Sequence, residues 1–188
     1  MERKTSTVLL MMLSVLVIFA LLVGVGFVLA TDYEATVYDY EVSGQYSYED
    51  SDGVKYIVPL SGTVSTTHMY IFGIERVSTV SDVHYKIGDV KKDYDLAAKW
   101  KFFSEPQIGE LSHEIDDFLT TNYGIVPVNV YIQEDGNETI TRYVGQEDGI
   151  IYKIERKIVT VTDNGDELIT NIVQNLVSYE DTMMPIKL

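Results

Sequence analysis

Cysteine is absent from this chain. No disulfide can brace the fold, and thiolate chemistry and cysteine-ligated zinc are excluded. Small exported domains often lean on disulfides, so this chain needs an apolar core sufficient by itself. That composition suits a prokaryotic or archaeal envelope better than a disulfide-rich secreted scaffold. Basic residues are also scarce, with 14 Lys and Arg against 29 Asp and Glu and a formal net charge of −15. So acidic a surface repels nucleic acid and anionic lipid, which argues against a nucleic-acid partner.

Catalytic signatures are missing as well. The chain has no G-x-S-x-G, no H-E-x-x-H and no phosphate-binding glycine loop. Its three histidines, His68, His84 and His113, include no pair at i, i+4. With no thiol to complete a zinc site, they read as scattered surface or turn residues. These absences favour a non-catalytic role and predict no cofactor.

One stretch lacks charge altogether. No charged side chain occurs from Thr5 to Thr31, and Val8–Ala30 is almost wholly apolar. At about 1.5 Å per helical residue this run spans roughly 35 Å, enough to cross a hydrocarbon core of about 30 Å. A cleavable signal has an apolar region of only about 7–15 residues, so a retained transmembrane helix is the expectation. Cleavage after Ala30, behind the small-residue ending Val28-Leu29-Ala30, is the alternative and would leave a secreted domain. Arg3 and Lys4 precede the run and Asp32 and Glu34 follow it. Basic flanks stay in the cytoplasm, which predicts a single pass with the N-terminus inside. Ala20 and Gly24 form a small-xxx-small pair, a candidate surface for helix packing or self-association.

The expected organisation is therefore two parts: residues 1–30 as a short tail plus anchor in the lipid bilayer, and residues 31–188 as one extracytoplasmic domain. Without Glu2, Arg3 and Lys4 the rest carries 12 basic and 28 acidic residues, net −16. Plentiful aromatic and β-branched residues exclude disorder.

That domain reads as mainly β. Along 33–48, Thr36, Tyr38, Tyr40 and Val42 alternate with Val37, Asp39 and Glu41, as a half-buried strand requires. Asp52-Gly53 marks a hairpin before 54–67. Further strands are expected at 69–80, 83–88 and 99–103. Later runs at 125–132, 138–145 and 150–162 alternate with the turns Glu134-Asp135-Gly136-Asn137, Glu147-Asp148-Gly149 and Asp163-Asn164-Gly165-Asp166. Asn164-Gly165 predicts a type I′ turn. Residues 167–180 fit a helix face as well as a strand; their Ile, Val and Thr content favours strand.

One soluble helix is expected, over about 104–121. Ser104-Glu105-Pro106-Gln107 resembles a capping box, and Ile108, Leu111, Ile115 and Phe118 fall at helical spacing. The predicted architecture is an antiparallel sheet, curved or sandwiched, with this amphipathic helix across it. A weak echo joins Gly44-Gln45 before EDSDG and VKY to Gly145-Gln146 before EDG and IIY. Turn chemistry recurs by convergence, which explains the echo without duplication.

Candidate binding chemistry sits in the turns. Glu49, Asp50 and Asp52 cluster in one, and Asp163, Asp166 and Glu167 in another. Ca²⁺ takes about 6–8 oxygen ligands of this kind, yet neither turn matches an EF-hand loop, and solvated hairpin tips account for both. Asn137-Glu138-Thr139 is a glycosylation sequon in a turn. Tyrosine dominates the aromatics, with 14 against six Phe and one Trp. Tyr46, Tyr48 and Tyr56 fall near one predicted hairpin, where an exposed array would form a stacking or partner surface and a buried one a strand face. Trp100 lies among Lys91, Lys92, Lys99 and Lys101, a local basic spot. These readings converge on a membrane-anchored binding or assembly domain. The alternatives are a pilin-like filament subunit and an envelope enzyme or lipid carrier with a concave pocket.

Overall fold

The computed structural model of the chain describes residues 14–18, 20, 32–71, 74–96, 101–103, 110–111 and 117–185. Residues 14–18 and 20 are helical, and the rest of the run Val8–Ala30, with Gly24, lies outside the described residues. Among those described, no helix is long and apolar enough to cross a membrane.

From Asp32 onward the described chain folds as strands. They are β1 (Asp32–Glu49), β2 (Lys55–Ile71), β3 (Ile74–Ile87), β4 (Val90–Asp93), β5 (Lys101–Phe103), β6 (Glu110–Leu111), β7 (Asp117–Thr121), β8 (Gly124–Asp135), β9 (Glu138–Gly145), β10 (Ile151–Val161) and β11 (Glu167–Pro185). All belong to one antiparallel sheet with the order β4-β3-β2-β1-β11-β10-β9-β8-β6. β5 adds to the free edge of β3, and β7 to that of β8. The first and last long strands thus meet at the centre, where β1 pairs β11 from Asp32↔Pro185 to Gln45↔Asn171. Residues 167–180 are strand throughout, as their β-branched content predicts.

Two expectations are corrected. The strand expected at 69–80 is two strands: Met69–Ile71 closes β2 and Ile74 opens β3, with Ile71 paired to Ile74. Continuous apolar character conceals a reversal when both arms are buried or paired. The helix expected over 104–121 is not formed where the chain is described. Leu111 pairs Tyr131 in β6, and Asp117–Thr121 pairs the start of β8. The unfilled edge of β8 offers backbone partners that a helical stripe cannot anticipate, and Phe118 is left exposed. Residues 104–109 and 112–116 of that expected helix lie outside the described residues. Of the two expected forms, curved or sandwiched, the described strands take the first, since each long strand continues the same ladder.

A single sheet must curl to enclose a core. Glu138 and Arg156, on β9 and β10, act electrostatically on Tyr94, which directly follows β4. Flat strands about 4.8 Å apart would put β4 and β10 roughly 24 Å from one another. The curl brings the two halves together over one core of Tyr40, Val42, Leu60, Val64, Val83, Val128, Ile150, Tyr152, Ile172 and Leu176. Two glycines make room for it. Gly44 lies between Leu60 and Ile172, and Gly62 between Val42 and Val83. All four neighbours are at most 2 % exposed. A smaller cluster of Ala35, Met69 and Ile71, joined by Tyr33 and Met184, closes the end where β1 begins.

Candidate functional site: a tyrosine-rich sheet face

Alternation puts Tyr38, Tyr40, Val42, Gly44, Tyr46 and Tyr48 of β1 on one face. Their cross-strand partners share it: Tyr179 and Leu176 on β11, Val64 and Tyr56 on β2. Two groups of rings result.

The first contains the three tyrosines that the sequence places near one hairpin. Tyr46 stacks on Tyr48 at 5.8 Å and 20°, and Tyr48 on Tyr56 at 5.2 Å and 16°. Tyr85 of β3 and Tyr94 approach Tyr46 at 4.6 and 5.4 Å. Burial pushes the Tyr46 and Tyr94 hydroxyls above the ordinary phenol value. Tyr56, at the open end of the ladder, remains exposed. Its hydroxyl is raised chiefly by a hydrogen bond to Asp50.

The second group runs across the sheet. His68 meets Tyr38 edge-on at 5.3 Å, Tyr38 stacks with Tyr179 at 6.2 Å, and Tyr179 leads to Tyr123 at 5.7 Å and on to Tyr152 at 6.0 Å. Tyrosine hydroxyls here hold irregular backbone. The β1–β11 register skips Val177, whose carbonyl accepts the Tyr123 hydroxyl at 3.2 Å. The β9–β10 register skips Tyr152, and the adjacent Ile151 carbonyl accepts the Tyr40 hydroxyl at 3.0 Å. Bulges leave ladder carbonyls without strand partners, so these hydroxyls repair the sheet. Burial raises both the Tyr40 and the Tyr152 pKa, and for Tyr152 the Asp148 hydrogen bond adds to it.

His68 is also fixed by Glu75, with Nδ1 and Oε1 2.6 Å apart. Glu75 is buried. Neither residue type nor spacing marks this pair in the sequence; it exists because β2 and β3 reverse at Ile71 and Ile74. An imidazole held between a carboxylate and a tyrosine ring has the setting of a structural histidine. His84 lies on β3, and His113 lies outside the described residues.

The acidic turns act on their own backbone. Asp50 Oδ1 accepts the amides of Asp52 at 3.0 Å and Val54 at 2.9 Å. Those bonds, the Val54 amide first, hold its carboxyl below the usual aspartate range. Asp166 pairs with Lys55 at 2.7 Å, joining the β1–β2 and β10–β11 tips. Asp52, Asp163 and Glu167 are exposed, and Glu49 sits beside them at the end of β1. Among the described residues, no three His, Asp or Glu side chains converge to hold a metal ion. The Asn164-Gly165 turn is not the expected two-residue type. Gly165 N–H donates to the Thr162 carbonyl and Thr162 N–H to the Asp166 carbonyl, both at 2.9 Å, which closes a three-residue loop with Gly165 at φ 85°. Asn137 is exposed in the β8–β9 turn, and its carbonyl accepts the Val159 amide at 2.9 Å. Lys91 and Lys92 are exposed on β4. Trp100 and Lys99 lie outside the described residues.

An open cleft of about 500 Å³ adjoins this face where β1 begins, bordered by Glu34, Thr36, Tyr70, Asp181 and Met183. Carboxylates line it, so it is unsuited to a buried lipid tail. No family model matches this chain, and no curated protein matches it in sequence.

Proposed function

We propose that this chain is a membrane-anchored extracytoplasmic binding domain without catalytic activity, with its N-terminus inside and its sheet outside. The observation that carries the reading is the junction between its two parts. The apolar run ends at Ala30 and β1 begins at Asp32, so the sheet is tethered directly to the expected anchor. The first strand is also central to the sheet, which makes the tether continuous with the core.

The binding surface in this reading is the Tyr48–Tyr56 end of the stacked ladder, which Tyr46 backs from the core. Tyrosine rings supply large, rigid contact area with a polar tip, as protein partners and sugars both exploit. The net charge favours a neutral or cationic partner at the envelope, and self-association would have to pair neutral surface against that repulsion. The carboxylates Glu34 and Asp181 lining the cleft weigh against the lipid-carrier alternative.

Intact mass of the protein from its native membrane, together with protease treatment of whole cells, tests the reading. Retention of Met1–Ala30 and external digestion of the sheet domain are expected. A mature mass lacking Met1–Ala30 overturns the anchor and leaves a secreted domain. Filaments seen by electron microscopy would replace the binding role with that of a pilin-like subunit.

A further inference from the structure

The long strands give the sheet two chemically different ends. At one end lie the reversals closing β1–β2, β8–β9 and β10–β11, which carry Asp50, Asp52, Asp135, Asp163 and Asp166. At the other end β1 begins, β11 finishes, and β2 turns back into β3. There Glu34 pairs Met183 on one side, and continuing the register Ala35↔Met69 sets Tyr70 on its other side. Tyr70 is 56 % exposed and Met183 59 % exposed. They therefore form a row on one face, bordering the open cleft.

The chain's own course says what these two side chains meet. Only Thr31 separates the apolar run from β1, a link of at most about 7 Å to Asp32. The Tyr70–Glu34–Met183 row lies two residues up β1, about 7 Å further. The headgroup layer on each side of a bilayer is roughly 5–8 Å deep. Fully extended and upright, the row stands at most about 14 Å beyond Ala30, and a compact link at Thr31 lowers it to about 7 Å, within the layer where tyrosine is favoured. Glu34 stands in the row and Asp181 borders the same cleft, which suits a zwitterionic surface better than an anionic one.

We propose that this end of the sheet rests on the headgroup layer of the bilayer that holds residues 8–30, with Tyr70 and Met183 as its contacts. The proposal depends on the anchor reading above. It adds a second, peripheral membrane contact that fixes the sheet upright and points the β1–β2, β8–β9 and β10–β11 turns away from the membrane.

The cysteine-free sequence makes the test direct. Full-length Tyr70→Cys, Met183→Cys and Ile57→Cys variants are labelled singly with bimane and reconstituted into phosphatidylcholine vesicles with or without brominated acyl chains. Ile57 is 69 % exposed and lies towards the acidic end of β2, so it reports exposure without proximity. Vesicle flotation of the unlabelled chain tests the anchor alone. The expected result is flotation, with quenching severalfold stronger at positions 70 and 183 than at 57. Flotation with equal quenching at all three positions overturns this proposal and leaves the anchor standing. A chain that does not float overturns both. Because two contact positions are used, misfolding of either variant leaves the other to decide.

Discussion

Tyr152 donates its hydroxyl to Asp148 Oδ2 at 2.7 Å, while Asp148 Oδ1 accepts the Ile150 amide at 2.9 Å. One carboxylate thus ties a turn to the strand that leaves it. The same device recurs at the first hairpin, where Asp50 accepts the Val54 amide and bonds the Tyr56 hydroxyl. In each case the tyrosine lies two residues beyond the bonded amide. This is the physical content of the echo between the EDSDG and EDG segments. The Gly-Gln pairs themselves are not equivalent, since Gly44 is mid-strand and Gly145 ends β9. Gly145 answers to its own turn: a Cβ there would collide with the Asp148 carboxylate.

Removing the staple should weaken the domain measurably. Asp148→Ala leaves the Ile150 amide and the buried Tyr152 hydroxyl without their acceptor, an expected loss of about 1–3 kcal/mol. Tyr152→Phe should lose about 1 kcal/mol. Urea unfolding of both single variants and the double variant checks this. Strictly additive losses would show that the two groups do not act as one unit.

Asp50 sets an acid limit for the first hairpin. Its folded pKa lies below the ordinary 3.8, so the folded state binds its proton later than the unfolded chain does. The stabilisation is complete above the unfolded value and is lost as pH falls through the lowered folded one. Asp50→Asn should flatten the dependence of melting temperature on pH below about pH 4. An unchanged slope between pH 2 and 5 would count against this role.

The alkaline side behaves oppositely. Burial raises the Tyr40 and Tyr152 pKa above the ordinary 10.0, so their neutral forms belong to the folded state. Their contribution is full below pH 10 and declines as pH rises above it. A spectrophotometric titration at 295 nm should show these two phenols ionising last, together with loss of the folded near-ultraviolet signal. Full ionisation with the fold intact would contradict it.

Gly44→Ala should be among the most damaging single changes. Its Cβ would run into the Asn171 carbonyl oxygen and press on the Ile172 backbone at 3.0 Å. The central β1–β11 seam must open to admit it, at an expected loss of about 2–3 kcal/mol. Thermal melting against wild type provides the measurement. A shift within error would mean the seam yields freely.

The core and an exposed apolar position should respond differently to the same truncation. Ile172→Ala empties a site with no solvent exposure and should lose about 2–5 kcal/mol. Ile57→Ala, in the open, should change stability by less than about 0.5 kcal/mol. Denaturant midpoints for the pair test whether the core is where the curl of the sheet places it.

By itself the sequence determined the β class, most strand positions and four of the acidic turns, but not the Gly88-Asp89 turn between β3 and β4. Those features are local: alternation, Gly and Asp at reversals, and β-branched content act over a few residues. It also set the uncharged run and the charge balance, and it named Tyr46, Tyr48 and Tyr56 as neighbours because one hairpin joins them. Tertiary structure alone decided the rest. The β2–β3 reversal within MYIFGIERVSTV became visible only as Ile71 met Ile74. The edge of β8 drew Leu111 and Asp117–Thr121 out of a helical pattern by offering backbone partners. The His68–Glu75 pair and the Tyr38–Tyr179 stack join residues from different strands, and the second spans the whole domain in sequence. Local propensity carries no information about which distant strand will lie alongside, whereas burial of Leu60, Val42, Val83 and Ile172 around two glycines fixes it.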